Sequence, residues 1–139
     1  MRTDARIEAL RDNPFFGVLP DKELKRIVKH CELVTYAEGT TLMEQDDRGQ
    51  ECFVVDRGTI RVEADGVVLG SIGRGEVLGE VALLDRGKRT ASAIAETRVE
   101  AWVISSREFT ALLEDHPVLA RRVASGLSAR LRKADKSAQ

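Results

Sequence analysis

Three observations predict a mainly β fold, a sandwich or barrel of short strands with helices at both ends. Gly39, Gly49, Gly58, Gly66 and Gly75 recur every eight to ten residues, the rhythm of short strands separated by turns. Nine of the eleven glycines lie between Gly39 and Gly87, whereas proline occurs only outside that stretch, at Pro14, Pro20 and Pro117. Apolar residues near the two ends repeat with helical rather than strand spacing.

The elements follow in order. Over Asp21–His30, Leu24, Ile27 and Val28 fall at i, i+3 and i+4 and give one apolar face. Strands are expected at Leu33–Tyr36, Cys52–Val55, Thr59–Glu63, Val67–Ile72, Ala91–Ala95 and Val99–Ile104. Ala64-Asp65-Gly66 is a hairpin signal between two of them, and Asp56-Arg57-Gly58 reads as another turn. Ser105-Ser-Arg-Glu108 has the spacing of a capping box opening a helix, whose buried stripe is Phe109, Leu112 and Leu113. Pro117 ends that helix and starts the next. Leu119, Val123, Leu127 and Leu131 then form one face of the last helix, and the tail after Lys133 frays.

Composition narrows the function. The 139 residues are 42% hydrophobic and 32% charged, which fits one ordinary folded domain and not disorder. A net charge of −1 gives no overall basic footprint for nucleic acid. The basic end, with Arg121, Arg122, Arg130, Arg132, Lys133 and Lys136 against Asp135, reads as a solvated helix face. No apolar run approaches a membrane span, and the first residues carry no apolar signal-peptide core. Cys31 and Cys52 have no metal or redox spacing and read as buried reduced thiols. Two histidines, His30 and His116, are too few for a metal or hydrolytic centre. Trp102, in a strand, reads as core.

The richest stretch is Gly79 to Ala91, GEVALLDRGKRTA. Gly79 lets backbone approach a ligand closely. Glu80 to Leu84 suffice for one helical turn, whose first N–H groups favour an anion. Arg89 adds a planar fork of charged donors. Glu80, acceptor-only when ionised, suits a hydroxyl. The set describes a site for one phosphate and one sugar hydroxyl. Gly73-Arg-Gly-Glu-Val-Leu-Gly79 only approximates a dinucleotide fingerprint, with the wrong spacing and no βαβ surroundings. Gly87-Lys88 lacks the following Ser or Thr of a P-loop.

That stretch resembles the phosphate-binding cassette of the cyclic nucleotide-binding domain family, matching at Gly79, Glu80, Ala82, Leu83, Arg89, Thr90 and Ala91. The resemblance extends over nearly the whole chain. Asn13-Pro-Phe-Phe-Gly-Val-Leu19 looks like the family's lead-in to its barrel, Phe53-Val-Val-Asp-Arg-Gly58 like its central strand and turn, and Phe109 to Leu131 like its closing helices. One departure is Gln45-Asp46-Asp47 where the family often has Gln-Gly-Asp. Asp tolerates the left-handed region better than most residues.

The resemblance implies an eight-stranded β jelly-roll barrel (a double-stranded β-helix) with N-terminal and C-terminal helices. It implies one domain over 1–139: a helical segment at 1–32, a barrel at 33–104 containing the cassette at 79–91, closing helices at 105–133 and a tail at 134–139. Arg89 would hold the exocyclic phosphate oxygens and Glu80 the ribose 2′-hydroxyl. Backbone N–H groups of Val81, Ala82 and Ala91 would complete the cradle. Thr90 offers a hydroxyl to the phosphate or to a guanine amine, which leaves cyclic GMP open beside cyclic AMP. The base-capping positions fall near Ala134 and Asp135, which supply no usual cap, and Leu127 or Leu131 would offer apolar cover.

The expected function is a cytoplasmic, non-enzymatic receptor module for cyclic AMP that changes its helix packing on binding. The expectation includes no further cofactor, no metal, no membrane or nucleic-acid partner, an unspecified protein effector, and a monomer or weak homodimer. The alternatives are a fragment of a larger regulated protein (a transcription regulator, transporter or acyltransferase) and an interaction barrel without ligand. Bacterial relatives often append a helix-turn-helix, for which the sequence after the last helix leaves no room.

Overall fold

The computed structural model describes residues 3–79 and 88–124. Eight strands form two four-stranded antiparallel sheets: β1 (Cys31–Tyr36), β2 (Thr41–Met43), β3 (Glu51–Arg57), β4 (Ile60–Ala64), β5 (Val67–Ile72), β6 (Val77–Leu78), β7 (Ser92–Ala95) and β8 (Val99–Ser105). One sheet runs β1-β8-β3-β6 and the other β2-β7-β4-β5. The chain thus passes repeatedly from one sheet to the other, the topology of a jelly roll. Helices α1 (Thr3–Asp12) and α2 (Asp21–Ile27), joined by a 3₁₀ turn at Phe16–Val18, precede the barrel. Helix α3 (Ser106–Asp115) follows it, and a further helix, α4, is described over 117–124.

Strand β3 explains the layering. Side chains alternate between the two faces of a strand, yet Cys52 to Asp56 are all buried. Cys52 and Val54 join an outer cluster with Phe15, Phe16, Leu24, Trp102 and Phe109, where the helices cover the first sheet. Phe53 and Val55 join a second cluster with Ile60, Val62, Leu78, Ala93 and Ala101 inside the barrel. Phe15 stacks on Phe109 at 5.9 Å and meets Phe16 edge-on at 5.2 Å, which ties the chain before the barrel to the helix after it. Burying each such side chain contributes about 1.5–3 kcal/mol.

The turns and caps behave as their residues dictate. At the β4–β5 hairpin Asp65 and Gly66 both have positive φ, 52° and 77°, the signature of a type I′ turn. Asp46, standing where the family often has glycine, adopts φ 71°. Ser105 caps α3 by accepting from the Glu108 amide at 3.2 Å, and the Glu108 carboxylate lies 3.8 Å from His30 Nδ1 across the seam with α2. Pro117 occupies the first turn of α4, where a missing N–H costs nothing. Leu119 is fully buried against the outer cluster and Val123 packs on it. Leu127 and Leu131 lie outside the described residues.

Several boundaries differ from the sequence reading. Strand β1 begins at Cys31 rather than Leu33, because Cys31 and Glu32 pair with Ile104 and Val103. Helix α2 stops at Ile27 instead of reaching His30. Asp56 and Arg57 belong to β3 and not to a turn; the reversal comes at Gly58, with φ 89°. Strands β2 and β6, with three and two residues, are additional. Cys31 and Cys52 both align with Ile104, on opposite sides of β8. Two strand spacings, roughly 9–10 Å, exceed the reach of a disulfide, and both thiols are free.

Candidate functional site

Arginine is seldom fully buried without a partner, and Arg89 breaks that rule. It is 6% exposed, and its Nη1 is buried with no hydrogen-bond partner. Its Cζ lies 5.9 Å from the centre of the Phe53 ring, within cation–π range. Burial pulls its proton affinity below the usual arginine value, with the Cys52 thiol and the Glu51 carboxylate acting the other way. A guanidinium stays charged under such a shift. The result is a cation largely out of water, set against an aromatic ring and with Nη1 unpaired.

Two glycines make the slot that accommodates it. At Gly49 a Cβ would fall on Nε and Cζ of Arg89. At Gly79 a Cβ would come 2.6 Å from Nη1 and 2.8 Å from the Glu51 carbonyl oxygen, and Gly79 has φ 92°, a region other residues rarely adopt. The walls therefore come from distant parts of the chain: Gly49 from the β2–β3 segment, Phe53 from β3, Gly79 from the end of β6.

Hydrogen bonds fix the Arg89 backbone on both sides. Its amide donates to the Asp47 carbonyl at 2.7 Å, and its carbonyl accepts from the Asp46 amide at 2.8 Å. An isolated bridge joins Arg48 and Lys88 next door. Of the other residues singled out in the sequence, Gly79 is buried, Thr90 is exposed and Ala91 is buried in the barrel interior. The structure thus brings Gly79 and Arg89 together and leaves Thr90 facing solvent. Glu80, Val81 and Ala82 lie outside the described residues, as do Ala134 and Asp135.

Sequence reasoning misses Gly49 and Phe53 as parts of the site. Gly49 is visible only as one of the regular turn glycines, and Phe53 as a strand residue; neither carries a mark of its contact with Arg89. A second buried polar group lies elsewhere. Asp56 accepts from Asn13 Nδ2 at 2.9 Å and Trp102 Nε1 at 3.3 Å. Asn13 in turn donates to the Val55 carbonyl and accepts from the Phe15 amide. Trp102 is fully buried, as its reading as core required. Among the described residues no group of three or more His, Cys, Asp or Glu side chains gathers to hold a metal. None of the described helices is long and apolar enough to cross a membrane.

Comparison with known proteins bears on the chain as a whole. A family model described as a cyclic nucleotide-binding domain matches residues 33–116, more than half of the chain. The cyclic AMP receptor protein of Thermus thermophilus is 30% identical over 131 residues, covering 91% of this chain and 61% of the relative. A cAMP-dependent protein kinase regulatory subunit of Mycosarcoma maydis is 32% identical over 127 residues, covering 81% and 24%. Among solved structures, a cAMP-binding acyltransferase from Mycobacterium smegmatis superposes with a TM-score of 0.75 at 26% identity, over 87% of this chain and 39% of that one. The chain thus spans less than two thirds of the length of each of these relatives. With a jelly-roll barrel, an arginine slot and a family match in agreement, the chain belongs to the cyclic nucleotide-binding domain family.

Proposed function

We propose that this chain is a receptor module for cyclic AMP, with Arg89 as the phosphate ligand. One observation carries the reading: a buried guanidinium whose Nη1 has no partner. An unpaired buried charge is costly. A singly charged phosphodiester entering the slot would complete its hydrogen bonding and offset its charge. Glu80 would take the ribose 2′-hydroxyl, and Val81, Ala82 and Ala91 would offer backbone N–H groups. Gly79 keeps the approach open. No further cofactor or metal enters the proposal, and the module acts by binding in the cytoplasm, not by catalysis.

Ligand binding would favour the arrangement of α3 and α4 that best closes the pocket, by as much as the ligand prefers that arrangement. The output would pass to a protein effector or to further domains of a longer protein. That second reading is favoured by the fraction of each relative that the chain covers, 61% and 24% for the two sequence relatives. Cyclic GMP is the competing ligand, since the hydroxyl-bearing Thr90 is exposed beside Arg89.

Calorimetric titration with cyclic AMP and then cyclic GMP, run beside a melting scan, tests the proposal. Saturable heat with cyclic AMP and a midpoint that climbs with its concentration are expected. Silence in both measurements with both nucleotides would remove the receptor assignment. Tighter binding of cyclic GMP would transfer it to that ligand.

A further inference from the structure

The segment joining β2 to β3 does more than connect them. It supplies both backbone partners of Arg89, through the Asp46 amide and the Asp47 carbonyl. It supplies Gly49 against the guanidinium. It also contains Asp46 in a left-handed conformation at φ 71°, a region that Asp enters more readily than most residues.

Gln45 ties this segment to the β4–β5 hairpin and to β7. Its Nε2 donates to Asp65 Oδ1 at 2.8 Å, and its Oε1 accepts from the Asp65 amide at 2.8 Å. Its own amide donates to Ser92 Oγ at 2.9 Å. Only one orientation of a carboxamide presents its NH₂ to the carboxylate and its oxygen to the N–H. The Gln45 side chain therefore grips a single residue at two points. That residue sits in the type I′ turn, where its φ of 52° is already specified by the hairpin.

We propose that Gln45 and Asp65 form a clasp that positions Arg89, making Gln45 a determinant of cyclic nucleotide affinity from outside the arginine slot. The chain of contacts is short: the hairpin holds Gln45, Gln45 anchors the segment, and the segment brackets Arg89. Gln45 is a positioning residue, acting through the backbone it fixes. The affinity part of the proposal rests on the reading of Arg89 as the phosphate ligand.

A polarity swap tests it. Gln45→Glu sets a second carboxylate against Asp65 and removes the donor. Adding Asp65→Asn returns a donor on the other side and keeps a residue type that tolerates positive φ. In the ligand-free protein, hydrogen exchange at the Asp46 and Arg89 amides should quicken about tenfold in Gln45→Glu and return to within about threefold in the double variant. Cyclic AMP affinity should fall roughly five- to twentyfold and recover likewise. Gln45→Ala, which breaks the clasp without adding charge, should move both readouts in the same direction. Unchanged exchange at the two amides overturns the clasp, whatever the ligand does. Faster exchange with affinity within about twofold of wild type overturns the positioning role. A wild type that binds no cyclic nucleotide removes the affinity claim together with the pocket reading, and hydrogen exchange alone then decides whether the clasp holds.

Discussion

Asp56 and Arg89 are both charged residues shut away from water, 7% and 6% exposed, and they are treated in opposite ways. Asp56 is surrounded by donors: Asn13 and Trp102 fill one oxygen, and the same Asn13 ties into the backbone at Val55 and Phe15. Arg89 has an aromatic face beneath it and one nitrogen with no partner. A closed polar knot gives rigidity, because each member would be costly to strand. An open one costs folding energy and keeps a binding direction free. The two regions set a polar group that holds the fold beside one that, on the proposed reading, receives a ligand.

The largest test of that contrast is Arg89→Ala. Loss of the only described buried cation facing the slot should weaken cyclic AMP binding by about 2–5 kcal/mol, roughly thirty- to a few-thousand-fold. The ligand-free protein should lose little stability or gain some, since the variant removes an unpaired buried charge. Calorimetry and urea unfolding read the two quantities separately; wild-type affinity would contradict the pocket. Asp56→Ala should do the reverse. Stranding Trp102 Nε1 and removing one of the two acceptors of Asn13 Nδ2 should cost about 2–4 kcal/mol in urea unfolding, while the surviving folded fraction binds nucleotide normally. A proportionate loss of affinity in folded protein would erase the distinction between the two regions.

The thiols extend the comparison to buried groups that are neutral. Burial pushes Cys31 and Cys52 from 9.0 up to about 12. Between those values the unfolded chain ionises its thiols while the folded one does not, so stability falls as pH rises through that window. By pH 10 the loss should be about 1.4 kcal/mol per thiol, and Cys31→Ala should flatten part of the slope. A slope unaffected by the substitution would mean that the thiol stays near its unfolded value. The smallest effect is at the helix cap. Ser105→Ala leaves the Glu108 amide without its acceptor and should lower stability by about 1 kcal/mol, with nucleotide affinity unchanged.

How much of this is legible in the sequence depends on how local the cause is. Turn spacing and strand alternation are local, and they mark six of the eight strands. Strands β2 and β6 have three and two residues, too few for a period to show, and they exist because neighbouring strands pair with them. Helix α1 is covered only as part of a helical segment, since Ile7 and Leu10 are its only buried apolar positions. Arg89 is marked by its motif, but its slot is not, because Gly49 and Phe53 come from some forty residues earlier. Asp56 reads as a turn residue because Asp before Arg-Gly looks like one. Its partners Asn13 and Trp102 are each more than forty residues away, and nothing in the string announces them.

Strand β3 has one further consequence. Successive residues of it face the helices and the barrel interior in turn, with Phe53 under the arginine and Cys52 and Val54 against the helical layer. A designer wishing to retune that slot therefore has little freedom there, because a change of bulk on one side displaces the strand against which the other side packs. On the proposed reading, exposed Thr90 is the place where selectivity would drift while the architecture stays still.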